Sequence, residues 1–404
     1  MLVIGVMAVL FLMATTLLSF SVYLTTANKH QQDHTKAVHI ADAGLNAYLY
    51  ELRHDNNFWT TNPRYPATGT RTQDEGTWFV RADPPADGEP LTLYSTGHLT
   101  SSDMTSTVIA TVRFPTFADY MFLGNASINI GSGATITGKV RSNGSINNLG
   151  IITGAAHAHG TITGMTGSDR IYGGIFPNQP LVDFSQVTAD MASIQAAANS
   201  AGTAFPASGA FGYRMLFNGT SYTLYKVTGG TSTGNLTTTV IGAGTIPACG
   251  VFYFADDVFV DGTYGESVTI CSSRDIYVID NYVPTDMDSR ITAGLVAQRN
   301  IVVPTWWPTV PDNMTLCAAL LAQTGTVYGD ISRTPVKNSI TVNGSDSYYT
   351  YGYFASGSPV TRGFRNRYYN YDTRLDLYPP PRYPVVHDGS LKVNTWIEGA
   401  NVLN

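Results

Sequence analysis

"HTKAVHIADAGLNAYLYELR", residues 34–53, decides how the first 53 residues of this 404-residue chain fold. Val38, Ala41, Leu45, Tyr48 or Leu49, and Leu52 recur at three- and four-residue steps. That spacing places them on one stripe of an amphipathic helix. Immediately upstream, "MLVIGVMAVLFLMATTLLSFSVYLTTAN" (1–28) carries no charged side chain before Lys29. Roughly 20 apolar residues cross a bilayer core, so this run is long enough to span one. No Pro or Gly interrupts residues 6–43. The two segments therefore read as one continuous helix over 1–53, about 80 Å long at 1.5 Å per residue. A membrane anchor followed by a separate short helix is the plainer alternative. A cleavable secretory signal is not expected, because the apolar run has no basic region ahead of it.

The rest of the chain has a different chemistry. Charged residues make up 13% of the sequence, against roughly 25% in typical soluble domains. Gly (39), Tyr (24) and Pro (20) are abundant, which suits a β-rich body with many turns. Net charge is −6, and no Lys/Arg cluster stands out from an ordinary solvated surface, so no nucleic-acid partner is expected.

The expected fold class is α+β: a long amino-terminal helix followed by a mainly-β body. Residues 54–117 read as an antiparallel segment, with period-two alternation in "GTWFVRA" (76–82) and "LTLYSTGHLTSSDMTSTVIATVRF" (91–114). Residues 118–177 contain short units such as "SINI" (127–130), "ATIT" (134–137) and "GTIT" (160–163), separated by Gly or Asn. Strands this short cannot bury a core alone, but stacked rungs of a β-helix or solenoid can. An open two-sheet sandwich is the alternative. Residues 178–246 break the pattern with a helix (187–202) and a hairpin turning at Asn218-Gly219, and read as an insertion. Rungs resume over 247–404 and end in an aromatic, Pro-rich cap.

Two stretches carry a family resemblance. "AVHIADAGLNAYLYEL" (37–52), with Ala41-Asp42-Ala43-Gly44-Leu45 at its centre, resembles the (A)EAGL-type stretch of PilX-type pilin-like proteins, with Asp for Glu. Gly294–Val303, Tyr371–Leu375, Pro379–Pro381 and Trp396 are similar to blocks in large bacterial pilin-like proteins with β-helical bodies. The resemblance implies a subunit made with a short basic leader, anchored in the inner membrane before assembly, and packed helix-to-helix into a type IV pilus-like filament. Its partners would be copies of itself or other pilin-like subunits, at the cell surface. Gly5, Val38, Ala41, Leu45, Leu49 and Leu52 are the expected helix-packing positions. Gly5 stands where many pilins carry Glu in their fifth mature position, so a salt link to a neighbouring amino terminus would be missing if Met1 is the mature start.

Candidate chemistry is sparse. Asp256, Asp257 and Asp261, and Asp286 with Asp288, read as turn carboxylates, with a weak Ca²⁺ site as the other option. His157 and His159 fall on one strand face but lack an evident third ligand. The chain has no GxSxG, P-loop, HExxH or CxxCH motif. No catalytic residue and no cofactor are assigned. Cys249 and Cys271 are a candidate disulfide for an exported protein; three reduced thiols, counting Cys317, are the alternative. Trp306, Trp307, Tyr349, Tyr351, Tyr368 and Tyr369 form aromatic clusters that either pack the end of the body or offer a contact surface. The expected function is a non-enzymatic filament subunit displaying its body for surface contact or adhesion. A membrane-anchored polysaccharide-active enzyme and a tethered adhesin that never polymerises are the alternatives.

Overall fold

The computed structural model describes residues 2–55, 57–83, 90–388 and 390–399. The chain is α+β and divides into two compact units. Of the described residues, those within 2–83, 90–113 and 391–399 form the first and those within 114–390 the second.

In the first unit, helix α1 runs unbroken over Leu2–His54. Strands β1 (Arg64–Tyr65), β2 (Arg71–Gln73), β3 (Gly76–Asp83), β4 (Leu91–Leu99) and β5 (Met104–Arg113) follow. They form an antiparallel sheet in the order β1-β3-β4-β5, with β2 paired to β3. The last strand, Lys392–Gly399, completes this sheet by pairing antiparallel with β5. The strand thus belongs to this sheet and not to the carboxyl-terminal cap expected over 247–404; a partner some 280 residues away leaves no local trace in the sequence. β3 alternates strictly between buried and half-buried residues, the pattern of a sheet with one covered face.

In the second unit most pairing is parallel and in register. Val251–Phe254, Val268–Ser272, Ala293–Ala297, Asn313–Ala322 and Val336–Tyr348 pair in that order. Asp346–Tyr348 then pairs with Phe122–Gly124, which leads on to Val140–Ser142, Ala156–Ala158 and Ile175–Phe176. The spatial order therefore differs from the chain order: the first strands of the unit continue from its later ones. One interior line of partners runs Phe252, Ile270, Leu295, Leu320, Asp346, Phe122, Val140, Ala156. All are buried, and Asp346 alone is polar.

Residues 178–246 do more than decorate this arrangement. The helix Val187–Ala201 buries Val187, Met191, Ile194 and Ala198 against Leu123, Val251, Cys271, Val296, Ala319 and Leu321. It ends at Gly202, whose φ of 72° is the left-handed cap conformation that glycine adopts without a Cβ penalty. The strand Tyr213–Gly219 turns back on Ser221–Gly229 with Asn218 paired to Ser221, so the turn falls at Gly219-Thr220, one residue beyond the expected Asn218-Gly219; it also pairs in parallel with Val258–Tyr264.

Candidate functional site

The most distinctive feature is α1, whose two halves meet different surroundings. Along its first half the large apolar side chains stand free: Val3 is 70% exposed, Leu17 69% and Tyr23 69%. The helix is long and apolar enough to cross a membrane. Gly5 is helical, but its surroundings, like Met1, lie outside the described residues.

The second half is anchored to its own sheet. Ala37, Ile40, Ala41, Leu45, Tyr48, Leu49 and Leu52 are buried, and Val38 is half-buried. Opposite them lie the apolar side chains of one sheet face: Trp78, Val80, Leu91, Leu93, Leu99, Val108 and Ala110. Close approach needs glycine at two points. A Cβ on Gly97 of β4 would lie 2.4 Å from both the Ala37 carbonyl oxygen and the Ala41 backbone nitrogen. A Cβ on Gly44 of α1 would lie 2.7 Å from Ser95 Oγ and 2.9 Å from the Trp78 ring. Ser95 Oγ donates to the Ala41 carbonyl at 2.6 Å, and Tyr48 Oη donates to the Asn62 carbonyl at 2.8 Å.

The carboxyl-terminal strand adds polar ties to the same helix. Trp396 Nε1 donates to Asp42 Oδ1 at 3.1 Å, and His34 Nε2 lies 2.8 Å from Glu398 Oε1. Lys36 Nζ meets Glu75 Oε2 at 2.6 Å. These contacts are exposed, and exposed pairs contribute at most about 1 kcal/mol each. The apolar seam holds the helix; the polar ties orient it. The alternation of Val38, Ala41, Leu45 and Leu52 is visible in the sequence, whereas Gly44, Ser95 and Gly97 acquire roles only once helix and strand are brought together.

The remaining sequence candidates are engaged elsewhere. Asp256 accepts from Ser208 and from Arg274 at 2.8 Å, Asp257 from Arg299 at 3.1 Å, and Asp261 receives both Arg214 Nε and Nη2. Each carboxylate thus serves a guanidinium. Asp286 accepts from the Asp288 backbone N–H in a turn. The His157 ring stacks on Phe176 at 4.8 Å, and burial, reinforced by Arg141 and Lys139, lowers its pKa to about 4, keeping it neutral. His159 Nδ1 lies 2.8 Å from the Gln179 carbonyl. Among the described residues no group of three or more His, Cys, Asp or Glu is gathered in a metal-binding arrangement.

The candidate disulfide does not form: Cys249, Cys271 and Cys317 are free. Cys271 is buried under the helix Val187–Ala201, and burial pushes its thiol pKa up. Cys249 sits only partly buried in the turn before Val251.

The aromatic candidates separate by environment. Trp307 is buried, stacked on Phe259 at 5.8 Å and near-parallel to Tyr277, so it is a packing residue and not a contact surface. Trp306 is half-buried; its Nε1 donates to Asp330 at 2.6 Å and Arg333 lies 4.2 Å from its ring centre. Tyr369 is half-buried against Phe122. Tyr349, Tyr351 and Tyr368 are exposed.

No family model matches the chain. No curated protein matches it either. Among solved structures the chain is similar to competence-associated pilin ComZ from Thermus thermophilus, with 13% identity over 91% of this chain and 98% of that chain, and a TM-score of 0.35. A likeness of that size assigns no family.

Proposed function

We propose that this chain is a structural, non-catalytic subunit of a type IV pilus-like filament. The observation that carries the proposal is α1: one uninterrupted helix, apolar and bare along its first half, and seated along its second half on an antiparallel sheet of its own chain. A helix apolar all round must be buried in lipid or against other helices. Such a segment serves as an anchor before assembly and as the packing element of a filament core afterwards. The second half holds the helix to the globular part, so that force applied to one is passed to the other. The second unit is read as a β-helical body displayed on the outside, which its parallel, in-register pairings support.

The test is fractionation of cells by shearing, with peptide identification. Wild-type chain is expected in sheared filaments as well as in the membrane. A chain found in the membrane alone, with sheared filaments lacking it, sinks the filament reading and leaves a tethered surface protein. Turnover of a glycan by purified protein would overturn the non-catalytic part.

A further inference from the structure

The strand Arg362–Tyr371 runs parallel to Val336–Tyr348, and its start is also paired with Ala355–Ser356. From Arg365 to Tyr368 every residue is exposed, as is Arg362. Five other guanidinium groups of this unit meet carboxylates: Arg141 with Asp388, Arg214 with Asp261, Arg274 with Asp256, Arg299 with Asp275 and Arg374 with Asp372. Among the described residues none of Arg362, Arg365 and Arg367 has a carboxylate at ion-pair distance; Arg367 Nη1 donates only to backbone carbonyls. An acidic chain of net charge −6 thus presents three unneutralised cations on one strand. Arg365 and Arg367 are two residues apart and share a strand face, about 7 Å from each other.

Aromatic rings stand beside them. Tyr351 and Tyr353 are in edge contact at 5.0 Å and are 41% and 65% exposed; Tyr368 is 54% exposed. The Phe364 backbone N–H donates to the Phe354 carbonyl, which fixes the tyrosine segment against the arginine strand. Burial pushes the Tyr351 phenol up while the Arg367 charge works against it, so the two groups lie within electrostatic reach. Asp346, whose charge would act on Tyr351, carries little of it: burial holds its carboxyl well above the usual range.

We propose that the Arg362–Tyr371 strand, with Tyr351 and Tyr353, is a binding surface for an acidic polysaccharide. Guanidinium forks match carboxylates in two-point contact, and tyrosine offers a flat amphipathic face to a sugar ring. A carboxylated glycan presents both chemistries together, carboxylates for the guanidinium groups and apolar sugar faces for the rings. A nucleic acid, with its dense run of phosphates, needs a longer basic track than three residues on an acidic protein. The inference rests on the reading of the body as an outward-displayed surface.

The test uses the detergent-solubilised full chain with alginate oligosaccharides as the probe, and neutral dextran and oligo(dT) as comparisons. Alginate is expected to bind, more weakly as salt rises. Arg365→Gln with Arg367→Gln is expected to weaken it roughly tenfold, and Tyr353→Ala several-fold, with unchanged thermal melting because all three side chains are exposed. Equal binding by the variants, equal binding of dextran, or tighter binding of oligo(dT) than of alginate would each overturn the proposal. Filaments scored by electron microscopy on the same strains separate the two readings. Intact filaments with no alginate binding overturn this inference alone. Alginate binding without filaments leaves the surface standing and removes the filament reading.

Discussion

The two halves of α1 are both rich in apolar side chains, yet only one is folded against its own chain. In the first half Leu10, Phe11, Leu12 and Met13 are each 59% exposed or more, and four consecutive residues at about 3.6 per turn go all the way round the helix. In the second half apolar residues are confined to one stripe, and Leu45, Tyr48 and Leu52 are fully buried. Periodicity, not hydrophobicity, separates them. A stripe can be satisfied by one sheet face, whereas an all-round apolar surface needs a surrounding medium. The first half is therefore incomplete in the isolated chain, and the second half is finished.

The sharpest way to break that contrast is to put the same charge in both halves. Leu45→Asp places an unpaired carboxylate in the closed seam and is expected to cost more than about 4 kcal/mol. Thermal melting of the first unit, followed by circular dichroism, should show it unfolded; a native melt would refute the burial. Leu17→Asp should leave that melt unchanged in detergent but oppose membrane insertion by about 2.5–3.5 kcal/mol, read as loss of the protein from the membrane fraction. If both substitutions unfold the protein equally, the two halves are not distinct.

Gly97→Ala tests how closely helix and strand approach. Its Cβ would collide with helix backbone that cannot rotate away, so an overpacking loss of about 1–3 kcal/mol in chemical denaturation is expected. A neutral result would mean that α1 sits further from β4.

The interior of the second unit offers the smallest and opposite effect. Asp346 interrupts an otherwise apolar line, and its Oδ1 has no hydrogen-bond partner among the described residues. Asp346→Leu is expected to stabilise by about 1–2 kcal/mol at neutral pH. The folded carboxyl keeps its proton to a higher pH than the unfolded one. Its contribution is thus fully present below about pH 4 and is lost as pH rises from there towards the folded value. The gap between variant and wild type should widen over that range; a gap independent of pH would contradict a raised carboxyl.

Much of α1 could be read from the chain alone, since the charge-free run and the Val38–Leu52 spacing are local properties. The β character of the body was also legible, because short Ile- and Thr-rich units between Gly and Asn have few other uses. Its order was not. Units such as those at Ile128, Ile146 and Ile162 are nearly interchangeable, so nothing local says that Phe122 continues from Asp346. The pairing of Lys392–Gly399 with β5 was equally hidden, as were Gly44 and Gly97, whose meaning depends on a partner distant in sequence. For Cys249 and Cys271 the spacing in the chain is compatible with a bond, but spacing alone does not set thiol geometry, and both thiols are free. Trp306 and Trp307, adjacent in sequence, ended half-buried and buried because one donates to Asp330 while the other stacks in the core.

The central claim is that the first half of α1 is completed by other subunits. A helical cryo-electron microscopy reconstruction of filaments sheared from cells making this chain tests it most directly. The expected map shows residues 2–24 of neighbouring subunits packed side by side in a central bundle, with β-rich bodies outside. Filaments whose core contains no such helices, or in which this chain is absent, would contradict it.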